Sequence, residues 1–240
     1  MALEVYTGLS MDERLVAVKD DPLFQSRCGN RAAIHAKRYA MSDKQKPTLA
    51  QNLALAILHA LGWKLEATLP DTKKYVLIGA PHTSNWDFVF MLLFRSAIGI
   101  NPRWVGKDTF FRWPFGELWK RLGGVPVNRR SRNSFVDQMV GTFQDHDELI
   151  LVIAPEGTRS KTRYWKSGFY YIALGADVPI VMGFLDYARK AGGLGPALMP
   201  TGDLQADFAI LREFYADKTG KYPREQGEVK LRDAMRDEPR

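Results

Sequence analysis

Three short stretches gather the residue types that proton transfer and anion binding require. The first is Pro81-His82-Thr83-Ser84-Asn85-Trp86-Asp87, which sets a histidine five positions before an aspartate. An imidazole with a carboxylate on one nitrogen has a fixed tautomer and a stabilised cationic form, and its second nitrogen is left to take a proton from a hydroxyl. In a continuous helix at about 100° per residue, however, such a pair would point roughly 140° apart. His82 and Asp87 can therefore meet only if the histidine lies in a turn and the aspartate in the first turn of the helix that follows. Pro81 and Ser84 favour that arrangement. Ser84-x-x-Asp87 also fits a capping box, in which Asp87 serves the helix start.

The second stretch is Ala154-Pro155-Glu156-Gly157-Thr158-Arg159-Ser160. An arginine, two hydroxyls and a glycine that permits close backbone approach suit a phosphate group. The alternative is a polar turn with Arg159 paired to Glu156. The third, Val125-Pro126-Val127-Asn128-Arg129-Arg130, brings two guanidinium groups together. Between residues 101 and 135, eight Lys or Arg face only Asp108 and Glu117, so most of the chain's formal charge of +7 lies between the first two clusters. An excess of that sign favours acidic partners: a membrane surface, nucleotide phosphates, an acidic carrier protein or nucleic acid.

The elements that must position these residues can be read from periodicity. Short apolar runs alternate with helical periods from Tyr75 onward, the mark of an α/β domain with a largely parallel sheet and flanking helices. Strands are expected at Tyr75 to Ala80, Arg103 to Val105, Val125 to Asn128, Leu149 to Ala154 and Val178 to Phe184. Helices are expected at Asp87 to Ile98, Pro114 to Leu122, from Ser134, at Ser167 to Gly175 and from Asp203 to about Ala216, with a Gly-rich turn at Gly192 to Gly195. The polar clusters thus fall at strand ends, and in open α/β sheets ligands bind outside the carboxyl ends of the strands.

Before this domain, residues 1–47 read as a polar helical arm. Residues 48–63 read as an apolar helix, with Leu49, Leu53, Ala56, Ile57, Ala60 and Leu61 at helical spacing. That helix either packs on the core or lies on a membrane surface with Trp63 at the interface. Residues 217–240 are dense in charge and read as a solvated tail. With a single cysteine and four histidines well apart in sequence, neither an intrachain disulfide nor a zinc-finger pattern can be written. No apolar run approaches the roughly 18 to 20 residues of a spanning helix, and the acidic first 21 residues do not read as a signal peptide. The expectation is a cytoplasmic protein, peripheral on the cytoplasmic face of a membrane.

Taken in order, His82-x4-Asp87, Gly123-Gly124-Val125-Pro126-Val127-Asn128-Arg129, Pro155-Glu156-Gly157-Thr158-Arg159-Ser160 and Val178-Pro179-Ile180 resemble the glycerophosphate and lysophosphatidate acyltransferase family over about Tyr75 to Phe184. The resemblance makes residues 48–216 the acyltransferase domain. It implies acyl transfer from acyl-CoA or acyl carrier protein to a hydroxyl of a lysophospholipid, foremost 1-acylglycerol-3-phosphate, with no metal and no cofactor beyond that co-substrate. It casts His82 as general base and Asp87 as its orienting partner. Lys107, Arg129, Glu156, Gly157, Thr158 and Arg159 would bind the acceptor. Thr109 to Phe115 would line an acyl tunnel, touch lipid or simply pack in the core. The same residues would serve a transacylase, an acyltransferase acting on another lipid head group, or a thioesterase with water as acceptor. No Gly-x-Ser-x-Gly occurs, which argues against a serine hydrolase of the nucleophile-elbow type. No recognisable module supports a nucleic-acid binder.

Overall fold

The computed structural model describes residues 37–38, 47–112, 116–127 and 132–231. Strands β1 (Lys37–Arg38), β2 (Lys64–Leu69), β3 (Lys74–Ala80), β4 (Arg103–Lys107), β5 (Gly124–Val127), β6 (Leu149–Ile153), β7 (Ile180–Asp186) and β8 (Ala191–Leu198) form one sheet, in the order β1-β2-β8-β7-β3-β6-β4-β5. Only β1 with β2 and β7 with β8 run antiparallel. The architecture is the α/β one expected, a mostly parallel sheet flanked by helices. At its centre β7, β3 and β6 lie side by side and parallel, with Val76 opposite both Ile180 and Leu151.

Both faces of that centre are covered, which is why β3 and β7 read as continuous apolar runs rather than alternating ones. Val76, Ile78, Ala80, Ile180, Met182 and Phe184 point to one side. There they meet α4 (Arg132–Asp145), α5 (Gly168–Ala176) and α6 (Leu204–Tyr215) through Phe143, Phe169, Tyr170, Phe208 and Leu211. Tyr75, Leu77 and Val181 point to the other side, with Ile98 of α2 (Trp86–Ile98) packed on them. Helix α1 (Leu49–Ala60) lies outside α2 and buries only Ala54 and Leu58. It starts at a capping box: Thr48 Oγ1 accepts from Gln51 N–H, and the Gln51 side chain accepts from Thr48 N–H. The short α3 (Gly116–Arg121) precedes β5.

The structure departs from the sequence reading in five places. Residues 64–69 form a strand that periodicity did not announce, because its burial on the sheet is only partial. Gly192 to Gly195 lie within β8 and not in a turn; the reversal is at residues 187–190. The glycines are there for close approach, since a Cβ would meet the Phe94 ring at Gly192, the Glu66 carbonyl at Gly193 and the Phe214 ring at Gly195. Trp63 is buried, with its ring 4.3 Å from Phe90, and does not sit at a surface. Within the expected helical arm, Lys37 and Arg38 are extended and paired with Leu69 and Thr68; the rest of residues 1–46 lies outside the described residues.

The fifth departure is the C-terminal stretch, which continues over the domain to Leu231 instead of leaving it as a solvated tail. Leu231 is buried in the main core, and Trp165 N–H donates to the carbonyl of Lys230. Charge density misled here because Lys218 buries its stem and sets its ammonium over the Phe184 and Phe214 rings. Residues 232–240 lie outside the described residues.

Candidate active site

The three central strands each deliver one group to a common point at their carboxyl ends. After β3 the chain turns through Pro81 and His82 before α2 begins at Trp86, so the histidine is in the turn and Asp87 in the first helical turn. This is the arrangement the spacing required. His82 Nδ1 lies 3.1 Å from Asp87 Oδ2. The same oxygen accepts from the backbone N–H groups of Thr83 and Ser84, both at 2.8 Å. Ser84 Oγ in turn accepts from Trp86 N–H, so Asp87 serves the helix start and the histidine together. Asp87 Oδ1 accepts from the hydroxyl of Tyr187 at 2.7 Å. Burial alone would raise the Asp87 carboxyl; the hydrogen bonds from His82, Tyr187 and Ser84 outweigh it and hold the group below its ordinary value.

After β6 comes the loop with Glu156, whose side chain is 2% exposed. Its Oε1 accepts from His82 N–H at 3.2 Å, while Oε2 has no hydrogen-bond partner among the described residues. Burial pushes this carboxyl up to about 7, opposed by the bond from His82 N–H and reinforced by the charge of Asp87. Gly157 follows at φ +68, a conformation that glycine enters without strain. Thr158 is exposed, and its hydroxyl accepts from Ser160 N–H. Arg159 does not pair with Glu156, which faces inward to His82; it donates to the Asn85 side chain and so ties the second loop to the first. His82, Thr83 and Ser84 have all committed their N–H groups to carboxylates, so none of the three is offered to an oxyanion.

Behind the pair lies an apolar cavity of about 190 Å³ between the sheet and α2, with His82 and Asp87 among its lining. Gly79 and Gly183, register partners on β3 and β7, form part of its floor. Phe88, Met91, Phe94 and Ile98 of α2 cover it, and Ile100, Pro102 and Trp104 line its side toward β4. A Cβ on Gly79 would meet nothing within 4 Å, as expected of a residue facing open space. The described residues of the Thr109 to Phe115 stretch do not line it. Phe111 stacks on Trp104 at 5.6 Å, which is the core-packing alternative for that ring.

Two expected site residues are not brought to this point by the described structure. Lys107 ends β4, where its backbone is in register with Val127; its side chain lies outside the described residues. Arg129 lies outside them altogether. Two contributors were missed in the sequence. Tyr187 follows β7 directly, and the polar pair Asp186-Tyr187 closing the third central strand was the signal for it. The other is the strap at residues 217–231: Tyr222 N–H donates to Thr83 Oγ1, Lys161 N–H donates to Glu225, and Lys221 Nζ stands 5.0 Å over the Trp86 ring.

Residues 64–182 match the family model described as Acyltransferase. The match spans just under half of the chain. It contains every site residue predicted above and ends in β7, so Tyr187 and the strap lie beyond it. No curated protein matches the chain. Among solved structures, the chain is similar to the crystal structure of the 1-acyl-sn-glycerophosphate (LPA) acyltransferase, PlsC, from Thermotoga maritima. The identity is 14% and the TM-score 0.48, over 70% of this chain and 77% of that one.

Proposed function

We propose that the protein moves a fatty acyl chain from a thioester, acyl-CoA or acyl carrier protein, to a hydroxyl of a lysophospholipid, foremost 1-acylglycerol-3-phosphate. The observation that carries this reading is the His82–Asp87 pair set at the end of an apolar cavity, with the Glu156 to Arg159 loop tied to the same turn. With Nδ1 turned to Asp87, His82 Nε2 takes the acceptor hydroxyl proton as that oxygen attacks the thioester carbonyl. Collapse of the tetrahedral intermediate forms the ester C–O bond and breaks the C–S bond, and the imidazolium returns its proton to the departing sulfur. Asp87 stabilises the imidazolium while it exists.

The acyl chain would lie in the cavity, and Arg159 with the Thr158 hydroxyl would hold the acceptor's phosphate. Lys107 and Arg129 are proposed as further anion contacts. The protein would lie on an anionic membrane surface at the cytoplasmic face; contact with a membrane is supported by α1, where Leu49, Leu53, Ile57 and Leu61 are all exposed and recur every fourth residue. Among the described residues no helix is long and apolar enough to cross a membrane.

The test is thiol release from acyl-CoA and from acyl carrier protein, with and without a panel of lyso-acceptors, for the protein and its His82→Ala variant. Release that requires both His82 and an acceptor is expected, and the best acceptor names the head group. Release that requires His82 but no acceptor would make the protein a thioesterase. Release indifferent to His82 would remove the dyad from the reaction.

A further inference from the structure

Asp87 has more partners than a simple dyad needs. Oδ2 takes His82 and two backbone N–H groups, which fixes one edge of the carboxylate. Among the described residues the other edge is held by a single group, the Tyr187 hydroxyl at 2.7 Å. That hydroxyl stays a donor, because burial, and then the adjoining carboxylate, keep the phenol protonated far above its ordinary value. We infer that Tyr187 is a positioning residue for the proposed reaction: it locks the free edge of the Asp87 carboxylate and thereby aims the His82 imidazole.

The surroundings of Tyr187 are built to hold it still. Its ring meets Trp63 at 5.0 Å and Phe90 at 5.8 Å, both edge-on, so α2 and the residue just before β2 fix the ring plane. Its N–H donates to the carbonyl of Thr219 at 2.8 Å, which ties it to the strap. The turn that carries it is capped by the fully buried Asp186, which accepts from Ala188 N–H, Arg189 N–H and Arg189 Nε. Arg189 also reaches Glu66 on β2. A tyrosine needed only for packing would require none of the alignment between its hydroxyl and Asp87 Oδ1. Removing that hydroxyl would leave a buried carboxylate oxygen with one partner fewer and a carboxylate free to rock about its Oδ2 contacts.

The inference rests on the reading of His82 and Asp87 as a general-base pair, and its test separates the two. Thiol release from oleoyl-CoA with 1-oleoylglycerol-3-phosphate is followed for Tyr187→Phe, which keeps the ring. Both the protein and the variant are measured from about pH 5 to pH 9, a window spanning ordinary imidazole titration. Tyr187 does not line the cavity, so kcat should fall by roughly tenfold, about 1.4 kcal/mol, while the KM values for donor and acceptor stay put.

The groups facing Asp87 are His82 from the preceding turn, Tyr187 from the β7–β8 turn and Glu156 from the loop after β6. Tyr222 of the strap faces Tyr187. The hydrogen bond from Tyr187 is one of those that lower the Asp87 carboxyl, so its loss should move the acid limb of the pair's profile to higher pH. In a His82→Ala background, Tyr187→Phe should change the residual rate no further.

A variant that melts earlier but keeps kcat and the acid limb would show packing alone and overturn the inference. So would an undiminished effect in the His82→Ala background. If His82→Ala itself turns over normally, the dyad reading fails first.

Discussion

Glu156 offers a test that needs no substrate and so does not depend on the proposed activity. Its carboxyl is buried at 2% exposure with one oxygen unpartnered, and it is pushed from an ordinary value of 4.5 up to about 7. The folded protein therefore holds this proton more tightly than the unfolded chain does. The stability that this preference contributes is fully present below about pH 4.5 and is lost as pH rises to about 7. A gap between 4.5 and about 7, at about 1.4 kcal/mol per unit, makes the loss about 3 kcal/mol. Glu156→Gln removes the titration and keeps the oxygen that accepts from His82 N–H.

Unfolding in urea, followed by tryptophan fluorescence at a series of pH values, should show the variant gaining on the parent by about 3 kcal/mol across that window. Asp87, whose carboxyl is lowered, has the opposite dependence: its contribution is present above the ordinary carboxylate range and lost as pH falls through the lowered value. Asp87, held below the ordinary carboxylate range, stays ionised across this window, so its term does not vary within it. A difference that stays flat between about pH 4.5 and pH 7 would refute the reasoning, because it would mean that Glu156 is ionised and accommodated in the fold.

His82→Ala should lower thioester turnover by roughly 10² or more with its melting temperature nearly unchanged; wild-type turnover would count against a base at that position. Arg159→Ala should raise KM for a phosphorylated acceptor about tenfold with kcat little changed, as expected for loss of one charge-assisted contact at an exposed site. An unmoved KM would place the phosphate elsewhere. Gly79→Leu should fill the cavity floor and reduce kcat/KM for long-chain thioesters by roughly 10- to 100-fold while sparing short ones, since each displaced buried methylene forgoes about 0.8 kcal/mol. Equal loss at all chain lengths would mean that the acyl chain lies somewhere else. Paired replacement of Leu53 and Leu61 by Asn should cut binding to anionic vesicles more than tenfold at unchanged stability, both side chains being exposed. Retained binding would remove α1 from the surface contact.

The sheet was legible because its central strands are buried on both faces, and such strands announce themselves as apolar runs wherever they occur. The contact of His82 with Asp87 was legible for a different reason. A spacing of five is wrong for a helix, so the residues at 82 and 87 could only meet across a turn, and Pro81 and Ser84 supplied one. Strand β2 and the C-terminal stretch carried no comparable signal. β2 is only partly covered and shows no clean period. The glycines of β8 look like a turn because sequence does not distinguish a glycine chosen for conformation from one chosen because Phe94, the Glu66 carbonyl or Phe214 lies against it. The strap looked like a solvated tail because composition counts Lys218 as a solvated charge, whereas its side chain is buried with the ammonium over two phenyl rings.

Tyr187 shows where reading by motif stops. It lies 100 positions from Asp87, on a different strand, and no local spacing relates the two. What relates them is topology: β7 and β3 are parallel neighbours with Ala80 opposite Phe184, so the residues just past their ends emerge at the same level. The same register brings Glu156 there from the other side, since Ile153 on β6 stands opposite Ile78. Sequence can nominate polar residues at strand ends, but only the order of the strands decides which ends are adjacent. In this chain that order puts an imidazole, a buried carboxyl and a hydroxyl on three neighbouring ends. The carboxylate of Asp87 is where two of them converge, and its charge helps to raise the third.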